Sequence, residues 1–177
     1  MPAVSPDLDA RERACVEEVL RTAQVAYVGM MDGQAPGDTA RPYVVPMNFA
    51  YEPPTVPSTH AEPAGAEGRL LFHTGPGRKV EALGRNPRIC VSVTAQEQLK
   101  LGATPCDDGY LYQSVVLEGR AVLLTDEVAR EAALRVIVAK YDPPAADKPF
   151  KPQTFAKTLV YEVEVETIGF KERPKRR

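Results

Sequence analysis

Arg88-Ile89-Cys90-Val91-Ser92-Val93-Thr94-Ala95 sets apolar Ile89, Val91 and Val93 against Cys90, Ser92 and Thr94. A two-residue alternation of this kind is the signature of a strand with one buried and one wet face. Tyr110 to Leu124 extends the β-prone pattern, and Gly119 inside it marks a bulge or sharp bend in a curling sheet. Tyr161, Val163 and Val165 alternate with Glu162, Glu164 and Glu166, which predicts a last strand packed on one side and solvated on the other.

Towards the N-terminus, Val25 to Met31 reads as a strand ending at the turn pair Asp32-Gly33. Arg41-Pro42-Tyr43-Val44-Val45-Pro46-Met47-Asn48-Phe49-Ala50-Tyr51 reads as one strand, irregular or at an edge because its two prolines cannot donate to a ladder. Arg69 to Thr74 is a short strand, broken by Gly75-Pro76-Gly77 before a two-turn helix, Arg78 to Leu83, closed by Gly84 and Pro87. Helices are also expected over about 8–23 and, capped by Asp126, to Tyr141. Residues 52–68, with four prolines, read as a surface loop, and 171–177 as a frayed basic tail. About six strands, mostly antiparallel and with only short helices between them, predict a mainly β single domain over 1–177, its core at about 10–170, rolled into a small barrel.

Bulk properties narrow the function classes. With 44% apolar and 26% charged residues the chain should fold, and 177 residues suit one core. A net charge of −2 gives no footprint for nucleic acid or an anionic membrane. No stretch approaches the roughly 18 apolar residues of a membrane span, and the first residues lack a basic start and an apolar run, so a cytoplasmic protein is expected. Cys15, Cys90 and Cys106 are odd in number and widely spaced, which predicts reduced thiols and no metal site.

The informative stretch for chemistry is His73-Thr74-Gly75-Pro76-Gly77-Arg78-Lys79. A strand that ends in a hydroxyl and glycines before a helix start presents free backbone N–H groups to an anion. Arg78 adds a planar fork and Lys79 a point charge, in the same sense as the helix dipole. A phosphate ester is the expected guest. The spacing is neither a Walker A loop nor G-x-G-x-x-G, and no hydrolase or metalloenzyme motif stands elsewhere.

The ordered set Arg41 to Phe49, Leu71-Phe72-His73-Thr74 followed by Gly77-Arg78-Lys79, Asn86-Pro87, and Tyr112-Gln113-Ser114-Val115-Val116 with Gly119 resembles the pyridoxamine 5'-phosphate oxidase-like FMN-binding split barrels. The likeness covers about residues 10–170 and is greatest to the nitroimidazole-resistance (Nim) branch. It implies a six-stranded antiparallel split β-barrel with short flanking helices. It implies that the strand from Arg41, through Tyr43, Val44, Val45 and Pro46, lies along the isoalloxazine ring of FMN, and that His73, Thr74, Arg78 and Lys79 hold the phosphate. Ser114 takes the place of a polar flavin contact, and His73, as in Nim-like proteins, faces the substrate as the catalytic residue. The resemblance further implies a homodimer with flavin in the shared interface and a reductase of small molecules such as nitroaromatics, with NAD(P)H as electron donor. A non-catalytic binder of flavin, deazaflavin or haem is the alternative it leaves open.

Overall fold

The computed structural model describes residues 8–33, 40–54 and 67–173. In chain order these form α1 (Ala10–Thr22), β1 (Ala26–Asp32), β2 (Arg41–Met47), β3 (Phe49–Glu52), β4 (Arg69–Thr74), α2 (Arg78–Arg85), β5 (Arg88–Lys100), β6 (Gly109–Leu123), α3 (Glu127–Tyr141), α4 (Pro152–Phe155) and β7 (Leu159–Arg173). All seven strands belong to one sheet in the order β2-β1-β5-β6-β7-β4-β3, with every neighbour antiparallel.

That order forces the sheet to roll. Its two outer strands, β2 and β3, are separated by Asn48 alone, and one residue bridges only about 7–8 Å. In a flat seven-stranded sheet those edges would stand roughly 29 Å apart. The barrel is thus closed by the chain itself, while β2 keeps a free edge.

The strand count is seven, not the six expected, because Arg41 to Tyr51 is two strands on opposite edges. A side chain far along the sequence makes the break: Tyr141 Oη accepts the Phe49 N–H at 3.0 Å and lies 2.8 Å and 3.2 Å from the carbonyls of Gln24 and Phe49. The basic tail also begins later than expected. Lys171, Glu172 and Arg173 pair with Ser114, Gln113 and Tyr112 as the end of β7, and Glu172 forms an ion pair with Arg11. Gly84 does not stop α2 either; the helix runs to Arg85 and ends before Pro87. The predicted 52–68 loop falls largely outside the described residues.

The barrel interior follows the period-two pattern. Val28, Phe72, Val91, Val93, Val115, Leu117, Val163 and Val165 form the core, and Val16, Val19 and Leu20 of α1 pack against it. Helix α1 is held at its start by a reciprocal Asp9–Glu12 capping box. A second cluster joins Ala133, Leu134 and Ile137 of α3 to Ala50, Leu71 and Val160 on the outer side of β3, β4 and β7. On the rest of the sheet, Tyr27, Val44 and Val116 are 53%, 59% and 39% exposed. Gly119 does sit at a bulge, where the β6–β7 register shifts. A second irregularity, between Ala95 and Gln98, places Gln96 at a φ of 56°.

Candidate functional site

The turn after β4 hands the chain to α2 through Gly77, whose φ of 131° is open to glycine and strained for other residues. The Gly77 carbonyl accepts from the N–H groups of Val80 and Glu81 at 2.9 and 3.2 Å. The N–H groups of Arg78 and Lys79, ahead of these, have no partner within the helix, so this end of α2 attracts an anion.

Asp32, at the end of β1, organises the cations around that end. Its carboxylate accepts from Arg78 Nε at 2.7 Å and from Arg85 Nη2 at 2.6 Å. These arginines are seven residues apart on α2, two turns, so they share one side of the helix. The Arg78 hydrogen bond first, then that of Arg85, holds the Asp32 carboxyl below the usual carboxylate range. The Arg78 guanidinium also lies 4.1 Å from the centroid of the Tyr43 ring, a cation–π contact. With Nε on Asp32 and its plane against Tyr43, Arg78 keeps its two terminal nitrogens free of any partner among the described residues. Arg41 stands opposite Asp32 in the β1–β2 ladder, and Lys79 follows Arg78. Two arginines thus share one carboxylate.

Beside this cluster runs the free edge of β2. Pro42 and Pro46 face Met31 and Tyr27 and cannot exchange hydrogen bonds with them. Antiparallel pairs alternate, so the Val44–Gly29 pair between them is also of the non-bonded kind. The N–H and C=O of Val44 therefore point to the open edge, a lone donor flanked by two prolines. The side chains of Tyr43 and Val45 pack against the core. On the outer face, Gly29, Met31, Pro42, Val44, Cys90 and Glu118 line a depression of about 400 Å³. A Cβ on Gly29 would sit 3.1 Å from the Cys90 carbonyl oxygen, so its floor depends on glycine.

His73 lies on the outer face of β4 opposite Val160, and Thr74 is buried beside it. Partial burial lowers the His73 pKa from its ordinary 6.5. The folded chain then binds that proton less readily than the unfolded one. The stability linked to neutral His73 is present above pH 6.5 and lost as pH falls through the lowered value. In a His60→Gln background His73 is the sole histidine. Its NMR ring-proton titration is expected to have a midpoint below 6.5, and one at or above that value would contradict this placement.

The structure brings Arg78 onto Tyr43 and both near the Asp32–Arg41 pair, with Val44, Val45 and Pro46 along the adjoining edge, while Lys79 is next to Arg78 in the chain and makes no contact with this cluster among the described residues. His73 and Thr74 lead directly into the same turn. Ser114 stands apart: it faces Thr94 and Lys171, with Oγ donating to the Lys171 carbonyl at 3.5 Å. Following the β1–β5–β6 register, it lies about seven residues, roughly 23 Å, along the strands from Asp32. Sequence reasoning missed Asp32 and Arg85. The seven-residue spacing of Arg78 and Arg85 was an available signal; the pairing with Asp32 was not. Among the described residues no group of His, Cys, Asp and Glu could hold a metal, and no helix is long and apolar enough to cross a membrane.

A rolled antiparallel sheet whose outer strands β2 and β3 stay unpaired with each other, and a cationic helix start beside β2, defines a split barrel. The chain belongs to the pyridoxamine 5'-phosphate oxidase family, whose profile matches residues 12–172. Its fold is similar to that of a candidate 5-nitroimidazole antibiotic resistance protein from Bacteroides thetaiotaomicron, with 22% identity, a TM-score of 0.64, and 94% of this chain and 85% of that one covered. It is likewise similar to the flavocytochrome Anf3 from Azotobacter vinelandii, at 21% identity and a TM-score of 0.68, covering 98% and 77% of the two chains. A FAD and haem binding protein from Mycobacterium smegmatis matches at 18% identity and a TM-score of 0.70, covering 93% and 74%. No curated protein matches the chain by sequence.

Proposed function

We propose that this chain binds FMN and acts as a flavin-dependent reductase of small molecules, nitroaromatics among them, with NAD(P)H as electron donor. The observation that carries the reading is Arg78, held by Asp32 and Tyr43 at the start of α2 with its terminal nitrogens free of partners among the described residues. A phosphate monoester is the ligand that such a fork and helix end recognise together.

In this reading Thr74, Arg78 and Lys79 hold the phosphate, with Arg41 adding charge. The open edge of β2, from Tyr43 to Pro46, meets the polar rim of the ring through the Val44 N–H and neighbouring carbonyls. Bound there, FMN would supply the two-electron redox step. His73, kept neutral by its lowered pKa, presents one ring N–H and one lone pair to the acceptor. Ser114 is too far along the sheet to join the phosphate turn of its own chain, so its contact is made with the flavin of a second copy. The exposed Tyr27, Val44 and Val116 face suits that homodimer.

FMN-loaded protein is expected to oxidise NADPH or NADH only when a nitroaromatic or similar acceptor is present, and His73→Ala should lower that turnover at least tenfold. Loaded protein that oxidises neither nucleotide would make the chain a flavin store. The haem-containing neighbours motivate the other binder reading, and a Soret band on the purified protein would favour it.

Asp32→Asn separates two effects of that residue. Removing a negative charge beside a phosphate would by itself strengthen binding. Because Asp32 also aims Arg78, the expected result is FMN affinity about tenfold weaker, a loss of about 1.4 kcal/mol. Equal or tighter binding in a fluorescence titration would show that Asp32 contributes charge alone.

A further inference from the structure

Away from the cationic turn, α1, β3 and α3 line an open cleft of about 530 Å³, with Leu20, Ala50, Tyr51, Pro53 and Val136 in its wall. Lys140, in the last turn of α3, lines it too. Its Nζ donates to the Leu20 carbonyl at 2.9 Å and lies 3.3 Å from the centroid of the Phe49 ring and 5.6 Å from that of Tyr141. Among the described residues no carboxylate pairs with it. The charged groups of the wall are Glu17 and Arg21, both from α1, and Arg21 is occupied by Glu18 at 2.7 Å. Of the phenols nearby, Tyr51 is pushed upward by burial and stays protonated.

We propose that Lys140 is an imine-forming residue that condenses with a neutral, apolar aldehyde seated in this cleft. The apolar wall of Leu20, Ala50, Pro53 and Val136 disfavours sugars and suits a neutral, apolar guest. A carbonyl is a neutral electrophile that an amine captures reversibly, as an imine, without a co-reactant. The Nζ lone pair forms a bond to the carbonyl carbon as the C=O π pair moves to oxygen. A proton passes from nitrogen to that oxygen, giving the carbinolamine. Loss of water, with the second nitrogen proton, leaves the C=N bond, and no electrons are gained or lost. Burial supports the step by pushing the Lys140 pKa down to about 8, so a useful share of the amine is neutral near physiological pH. No residue of the proposed flavin site takes part.

The test is to incubate the full chain with hexanal, reduce with cyanoborohydride, and map the modified peptides. Near neutral pH, Lys140 is expected to react roughly a hundredfold faster than the exposed lysines, from its larger neutral fraction. Its rate should climb with pH and level off above about 8. Ala139→Phe, at the cleft wall, should slow Lys140 at least tenfold and leave the other lysines unchanged. Labelling spread over the lysines by exposure, an unmodified Lys140, or an Ala139→Phe chain that labels like the parent would overturn the proposal.

Discussion

Replacing Arg78 and Lys79 together by alanine should weaken FMN binding at least a hundredfold while leaving the chain folded. Each charge-assisted hydrogen bond to a phosphate is worth about 1.5–3 kcal/mol, so losing both sets of donors removes more than the 2.7 kcal/mol that a hundredfold represents. The fold has little stake in either side chain. Neither belongs to a core cluster. The Arg78–Asp32 pair lies at the surface, where solvent screens it, and Arg85 remains to hold Asp32. Fluorescence titration and a thermal melt measure both halves. Stoichiometric flavin in the double variant would remove the phosphate from this turn.

Gly119→Ala is expected to destabilise the barrel strongly. Its new Cβ would lie 2.2 Å from the Glu164 carbonyl oxygen and 3.2 Å from Val163 Cγ1. The Glu164 oxygen is backbone in the partner strand and cannot swing aside, so the bulge must open or the β6–β7 register must slip. A cost of about 3 kcal/mol or more is expected, at the upper end of overpacking effects. Gly84→Ala is the control: its Cβ meets nothing within 4 Å, and within α2 it should stabilise by about 0.5–1 kcal/mol. Urea unfolding of the two variants reads both signs, and a Gly119→Ala chain as stable as the parent would contradict the bulge geometry.

What could be read from the sequence was local. The alternation of Ile89, Val91 and Val93, the bulge glycine in the long β6 segment, the Asp126 cap and the Gly77-Arg78-Lys79 turn each carry their signal within a few residues, and each appears in the structure. Where the readings failed, distant partners decide. Asn48 breaks a strand because Tyr141, 92 residues from Phe49, takes its N–H. Lys171 to Arg173 form strand although their side chains look like a solvated tail, because the ladder to β6 uses backbone alone. The cationic site shows the same division. Arg78 and Lys79 are visible in a seven-residue stretch, whereas Asp32, 46 residues before Arg78, joins them only once α2 packs on β1. The distance of Ser114 from the turn follows from register across three strands, which no local pattern encodes.

The most direct measurement is the affinity of the unmodified chain for FMN beside that for riboflavin, which differs only in lacking the phosphate. The turn of Thr74, Arg78 and Lys79 predicts saturable FMN binding, with riboflavin at least a hundredfold weaker. Equal affinity for the two, or no binding of FMN at all, would contradict it.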